Sequence, residues 1–482
     1  MRSAAVSTAL LVSAILCLSR VPLAAAELYV GRSSVSITPR EPVPLSGQMR
    51  TRISQRVESE CLAVALALET RGEQAAPEQV VFVACDLVAI REGLTDEVRA
   101  AVKPKVPDLD VAKLILSATH THTAPEMIEG RYDLPDSGIM RPDSYRRFFI
   151  ERVAAAVEKA WKSRKHGKVG WGLGYAAVAQ NRIAVSIDGS AKMYGDTSQP
   201  SFARFEGYED HGVEVLCFWD TSDKPIATAI NVACPAQEVE NRSAVNADFW
   251  HPVRKRLQAR YGDEFAVLGW TGSAGDQSPH SMYRKAAEER MRRLRNVDRL
   301  DDIARRIVAG WDEAYEGAAA EKHADVQLRH QAAVLPLPVR QVTQEEALAA
   351  QSKADELEGQ AGAMWIRNWN LRVVERFKLQ RPHDTFAADV HVVRIGDVSV
   401  ATNPFEIYGE YGVRMKARGP ALQTFVVQLA GPGSYLPSER GVLGGAYGAI
   451  VQSNQVGPEG GRILVDETLK MMSELWRKTS QD

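Results

Sequence analysis

Leu114-Ile-Leu-Ser-Ala-Thr-His120-Thr-His122-Thr-Ala-Pro125 carries a short aliphatic run into a polar end that holds two histidines two residues apart. So short a run, bounded by a proline, reads as a buried strand. Side chains alternate along a strand, so both imidazoles of a continuing strand project to one side. That pattern suits two ligands on one metal, or one ligand beside a proton-transfer group; a purely structural pair is the competing reading. Around it, Val80-Val-Phe-Val83 reads as a second buried strand, and further strands are expected at 171–178, 212–219, 390–395, 398–401 and 425–429. The clearest helix of the first half is 143–162, where Phe148, Val153, Val157 and Trp161 recur at helical spacing, with Asp143 to cap the start and Gly167 past the end.

Residues 283–376 read as a charged, helical insertion. Arginines at 284–299 are interleaved with Glu288, Glu289 and Asp298, the pattern of a solvated helix face rather than of a lipid-headgroup surface. Thr343 and Glu346 form a capping-box pattern, and Trp365 and Trp369 follow at i, i+4, where helix packing competes with lining a substrate entrance. Residues 466–476 close the chain as an amphipathic helix. No internal repeat, low-complexity linker or domain boundary is visible. The fold class expected is therefore α/β, one large unit of mixed sheets and helices.

Composition excludes several classes. The 482 residues carry 59 Lys+Arg against 61 Asp+Glu, a formal charge of -2, which argues against a general nucleic-acid binder. Hydrophobic residues make up 45%, enough to exclude a disordered chain. Residues 1–26 read as a cleaved export signal: Arg2, an apolar run, then Ala24-Ala-Ala26. That run is shorter than the roughly 20 residues of a bilayer span, and no later stretch is long and apolar enough for one. Cys61, Cys85, Cys217 and Cys234 remain, too few and too scattered for a disulfide framework. Three of them sit in apolar runs. Cys234, in Asn231-Val-Ala-Cys-Pro-Ala-Gln237 after a strand-like run, can bind zinc, act as a nucleophile or be an inert buried thiol. Gly272-Ser-Ala-Gly-Asp276-Gln-Ser278-Pro-His280 has small residues that admit close backbone approach, but is neither a Walker loop nor a nucleophile elbow. Glu406 and a glycine-rich run at 431–448, with Tyr435 and Tyr447, complete the candidates.

Together these segments resemble the catalytic domain of the neutral/alkaline (non-lysosomal) ceramidases over roughly residues 29–475. The resemblance rests on Ser117-Ala-Thr-His-Thr-His122, on Gly275-Asp-Gln-Ser-Pro279, on Asn181-Arg182 between them, and on the twelve-residue spacing of Tyr435 and Tyr447. It implies a zinc amidase that cleaves an N-acyl bond of a small-molecule or lipid substrate. Zn2+ would be held by His120, Glu406, Tyr435 and Cys234, the last where the family has the histidine of a strand-end H-P motif. His122 would shuttle protons, Tyr447 and Arg182 would stabilise the oxyanion, and Ser278 would support the site or act as an alternative nucleophile. The sequence departs from the family at Thr123-Ala-Pro-Glu126, and it ends where the family usually adds an immunoglobulin-like domain. Two other readings remain: a metal-independent hydrolase using Cys234 or Ser278, and a non-catalytic envelope protein that binds a ligand on the same fold. Oligomeric state is not legible.

Overall fold

A computed structural model of the protein describes residues 26–72 and 77–477. The expected export signal at 1–26 thus lies, apart from Ala26, outside the described residues. No helix among the described residues is long and apolar enough to cross a membrane.

The chain builds two sheets pressed face to face. The larger is made of β1 (Ala26–Ser36), β2 (Leu62–Arg71), β3 (Glu78–Cys85), β4 (Leu114–Ala118), β5 (Lys165–Tyr175), β6 (Gly212–Asp220), β7 (Pro225–Val232) and β8 (Ala266–Thr271). Their spatial order is β8-β7-β6-β5-β1-β2-β3-β4, with a short strand at Asp325–Val326 pairing onto β1. Only the outer pairs β3–β4 and β7–β8 are parallel. The second sheet runs β9 (Leu328–Pro338), β10 (Thr385–Ile395), β11 (Val398–Thr402) and β12 (Gln423–Val427).

The sequence of β2 shows how the layers form. In Leu62-Ala-Val-Ala-Leu-Ala-Leu68 the bulky Val64, Leu66 and Leu68 pack toward the second sheet, against residues such as Val393, Val400 and Phe425. The intervening Ala63, Ala65 and Ala67 face a helical layer containing Tyr145, Phe149, Val153 and Trp161 of α1 (Pro142–Lys162). Period-two alternation of large and small residues thus yields a sheet covered on both faces. At the other end, Gly170, Gly172 and Gly174 of β5 turn one face to α3 (Arg299–Ala320), which packs beside α2 (Trp250–Tyr261). A Cβ on Gly172 would stand 1.9 Å from the Ala314 carbonyl oxygen, so the helix backbone rests directly on the strand. Helices Gly409–Arg418 and Pro458–Trp476 cover the outside of the second sheet. The result is four layers, helix–sheet–sheet–helix, an α/β fold as expected.

Two expectations are corrected. The α1 cap is Arg141 with Pro142 at the first turn; Asp143 lies inside that turn, where its charge meets the positive end of the helix dipole. The stretch 283–376 is not purely helical, because β9 lies within it and pairs along its whole length with β10. The His330, Ala332 and Val334 alternation and two prolines at 336 and 338 hid that strand. The capping box at Thr343 and Glu346 is present and opens the helix Gln344–Glu356.

Candidate active site

The histidine pair sits where β4 ends. The strand stops at Ala118, and His120 turns into the left-handed region at φ +69°. Strand alternation therefore does not aim the two rings; the turn does, placing their centroids 4.7 Å apart. Asp86, fully buried past the end of β3, anchors this turn. Its carboxylate accepts from Thr119 Oγ1 at 3.2 Å and from the Leu62 amide at 2.8 Å, and takes both guanidinium nitrogens of Arg254 at 2.5 and 3.0 Å.

Carbonyls only accept and guanidiniums only donate, which fixes the proton positions. His120 Nδ1 lies 2.5 Å from the Val88 carbonyl, so it carries the hydrogen and leaves a lone pair on Nε2. Arg182 Nη1 donates to Gln237 Oε1 at 3.0 Å, so the Gln237 amide nitrogen donates to His122 Nε2 at 2.8 Å. His122 then bears its hydrogen on Nδ1, 3.1 Å from Glu240 Oε2 though off the line of an ideal hydrogen bond. Burial, only partly opposed by Glu240, pushes His122 down to about 4, so it is neutral at neutral pH.

Glu406 and Tyr435 arrive from two loops that pair as a two-residue parallel ladder, Glu406 beside Tyr435. Gly433 permits it, since a Cβ there would lie 2.3 Å from the Pro404 carbonyl oxygen. Glu406 Oε2 is 3.2 Å from His120 Nε2, and against the effect of burial the neighbouring His120 and Arg182 hold its carboxyl down to about 2. Burial and the Glu406 charge raise the Tyr435 hydroxyl well above its ordinary value. Arg182 Nη2 donates to Tyr435 OH at 3.1 Å and to the Gly275 carbonyl at 2.9 Å. Tyr447 packs edge-on against Tyr435 and stacks on Trp369. A cavity of about 720 Å³ opens over this group, walled by His120, His122, Arg182, Glu406, Tyr435 and Tyr447.

The structure brings six of the eight expected residues to this cavity and leaves two outside its wall. Cys234 is wholly buried in the apolar cluster with Val178, Val232 and Phe249, and burial pushes its thiol well above the ordinary range. A protonated, enclosed thiol is neither ligand nor nucleophile. The side chain that the end of β7 presents instead is Gln237, three residues on. Ser278 is fully buried, its Oγ accepting from the His280 amide at 3.1 Å and lying 3.2 Å from Tyr194 OH. The small residues of 272–280 serve backbone packing rather than ligand approach: the Gly275 amide donates to Ile407 O at 2.8 Å, and a Cβ on Gly275 would be 2.4 Å from Glu406 O. Gln237, Glu240 and Tyr194 escaped the sequence reading. Gln237 lies in the same segment as Cys234, and a neutral amide carries no sequence signal for a site.

Among the described residues, no three His, Cys, Asp or Glu side chains form a ready metal cage. A donor set here needs the Tyr435 phenol. His120 Nε2 faces both Glu406 Oε2 at 3.2 Å and His122 Nε2 at 3.3 Å. His122 Nε2 and Glu406 Oε2 thus both turn lone pairs toward His120 Nε2, an electron-rich spot that a cation, or a proton on His120, would satisfy. Histidine, carboxylate and phenol oxygen are the hard-to-borderline donors that zinc accepts, and three protein donors with a free position are what a catalytic zinc uses. The residues present therefore fit the metal without Cys234.

Behind the site lie three buried carboxyls, Asp276, Asp248 and Glu238, each raised to about 7 chiefly by burial. Folded chains hold these protons where unfolded chains have lost them. Stability is thus fully present below about pH 4 and falls, by about 1.4 kcal/mol per pH unit for each group, until pH passes 7. In metal-free protein, Glu406 and Glu240, both held down to about 2, act oppositely and lose stability below about pH 4.5. His122 and His330, held down to about 4 and about 3, oppose this below about pH 6.5, but two histidines over one pH unit weigh less than three carboxyls over the longer span to pH 7. Thermal melts at constant ionic strength should therefore show a higher Tm at pH 5.5 than at pH 8; a Tm flat or rising over that range would contradict these assignments.

The four-layer sandwich is the fold of solved ceramidase structures. No family model matches the sequence, and no curated protein matches it by sequence. Among solved structures, the chain is similar to the neutral ceramidase from Pseudomonas aeruginosa, with a TM-score of 0.67 at 17% identity, covering 94% of this chain and 76% of that one. It is equally similar to a structure described as ceramidase complexed with C2, at TM-score 0.67 and 16% identity, over 94% and 75% of the two chains. At such identities the likeness is one of fold.

Proposed function

We propose that the protein is an amidohydrolase that cleaves an N-acyl amide, releasing a fatty acid and an amine. The observation that carries this reading is the electron-rich spot between His120 Nε2 and Glu406 Oε2, set at the wall of a large cavity in a ceramidase-like fold. His120, Glu406 and Tyr435 would hold the zinc ion. When bound, zinc supplies Lewis acidity and lowers the pKa of water from 15.7 toward 7.

The chain's own residues do the rest. Neutral His122 accepts a proton at Nε2 once Gln237 yields its place, and Glu240 at Nδ1 stabilises the imidazolium that forms. Water adds to the acyl carbon, the C–N bond breaks, and the proton on His122 passes to the departing amine. Arg182 and Tyr447 line the same cavity. The donors of Arg182, held by Gln237, Tyr435 and Gly275 in the free protein, would turn with Tyr447 to the charge that develops on the carbonyl oxygen, and one such donor is worth roughly 2.7–4 kcal/mol of barrier. Ser278 acts through Tyr194, which it helps to place beside Arg182. Export to the periplasm or outside of the cell, read from residues 1–26, completes the proposal and is checked by cell fractionation.

The test is hydrolysis of a panel of N-dodecanoyl amides, followed by release of dodecanoate, before and after a chelator. Turnover of at least one amide, abolished by the chelator and restored by zinc, is expected. A zinc-replete protein inert on every member would overturn the reading.

A further inference from the structure

The main cavity continues into a side chamber of about 290 Å³ that shares Glu406, Tyr435, Tyr447 and Trp365 with it. The chamber's charges are one-sided. Arg91, Arg131, Arg372 and Arg376 line it, and its single carboxylate, Glu406, is already engaged by His120. Arg91 and Arg131 share one acid outside the lining, Glu126, at 3.7 and 3.6 Å. Arg376 spends its donors on the backbone carbonyls of Val451, Asn454 and Arg340 and, among the described residues, meets no carboxylate within ion-pair distance. Arg372 has no ion pair or hydrogen bond among the described residues, and burial and the like charge of Arg131 both disfavour its charged form. Trp365 lies under the Arg131 guanidinium, 5.8 Å away, and keeps it facing the chamber. An anion between partly desolvated arginines that repel one another relieves that repulsion, and the planar guanidinium fits a carboxylate or phosphate through paired N–H bonds.

Arg91 and Arg131 stand where the two spaces meet and line both, whereas Arg372 and Arg376 belong to the side chamber alone; the main cavity adds Met49, Val88, Met193 and Ile450, an apolar path for a chain. We infer that the substrate is an N-acyl amine whose amine half carries an oxyanion, with the acyl chain in the main cavity and the anion held by Arg131 and Arg372 in the side chamber. The inference rests on the amidohydrolase reading and sharpens it: an uncharged amine half leaves the arginines unmatched, whereas an N-acyl amino acid or N-acyl aminoalkyl phosphate satisfies them. The chemistry is the same hydrolysis, with no redox partner.

Two measurements test it separately from turnover. The first is binding, by calorimetry on the zinc-loaded protein, of 4-oxopentadecanoate, in which CH2 replaces the amide N–H of N-dodecanoylglycine, against its neutral analogue 1-hydroxypentadecan-4-one. The acid should bind at least tenfold more tightly, a margin that shrinks with salt and disappears in Arg372→Glu. Equal affinities, or a margin unchanged in Arg372→Glu, would overturn the inference even if amides are hydrolysed. The second is the ratio of kcat/KM for N-dodecanoylglycine and for N-dodecanoyl-2-aminoethyl phosphate over N-dodecanoylethanolamine. At least one ratio should exceed ten and fall at least tenfold in Arg372→Glu, chiefly through KM; the larger ratio tells carboxylate from phosphate. Preferential binding of the acid with no turnover of any amide would sink the hydrolase reading and leave the anion site standing.

Discussion

His120→Asn should lose both zinc and turnover while keeping the fold. Asparagine tolerates the left-handed backbone that His120 adopts at φ +69°, so the turn survives, but its shorter amide withdraws the Nε2 lone pair from the spot facing Glu406. Zinc contributes several kcal/mol to such reactions, and at 1.36 kcal/mol per decade the fall in kcat should be about a thousandfold or more. His120→Ala should behave alike with a slightly lower Tm, since alanine is strained in that backbone region. The checks are elemental analysis, dodecanoate release and a melt on the same preparations. A variant with wild-type activity would remove His120 from the metal site.

Asp86→Ala should be the most destabilising single change near the site. Asp86 is fully buried and the Arg254 side chain is only 4% exposed, so truncation strands a guanidinium in the core, worth about 3–5 kcal/mol. It also removes the acceptor for the Leu62 amide and for Thr119, the residue before His120. In a chain of this size the Tm should fall by roughly 3–5 °C, and the folded fraction should lose activity because the histidine turn is no longer anchored. Removing both charges, Asp86→Leu with Arg254→Met, should recover part of the stability. A Tm shift under about 2 °C in Asp86→Ala would show that the pair is solvated and that the anchoring argument fails.

The Leu/Ala alternation of β2 writes both faces of the first sheet into the sequence, yet β2 was not among the expected strands. β3, β4, β6 and β10 to β12 were legible as short aliphatic runs. β9 was not, because its neighbours are charged helices and its alternation mixes histidine, glutamine and proline with a few aliphatic residues. The site was legible as a set of residue types in order along the chain, and six of them line one cavity. What failed was the placement of one atom: whether the thiol of Cys234 or the amide of Gln237 faces the histidines depends on how the chain turns after β7. The Cys234 amide there donates back to Val232 O at 2.8 Å, a tight turn that no composition rule announces. The arginine chamber was likewise invisible, because Arg91 and Arg131 come from two loops distant in sequence from the helix Met364–Leu379 that carries Arg372 and Arg376.

Zinc content of the wild type and of Cys234→Ala, measured by elemental analysis after metal-replete purification, tests the central claim most directly. The account predicts one zinc per chain in both proteins, because His120, Glu406 and Tyr435 suffice and Cys234 faces the apolar core. A wild type without zinc, or a zinc lost on replacing Cys234, would contradict it.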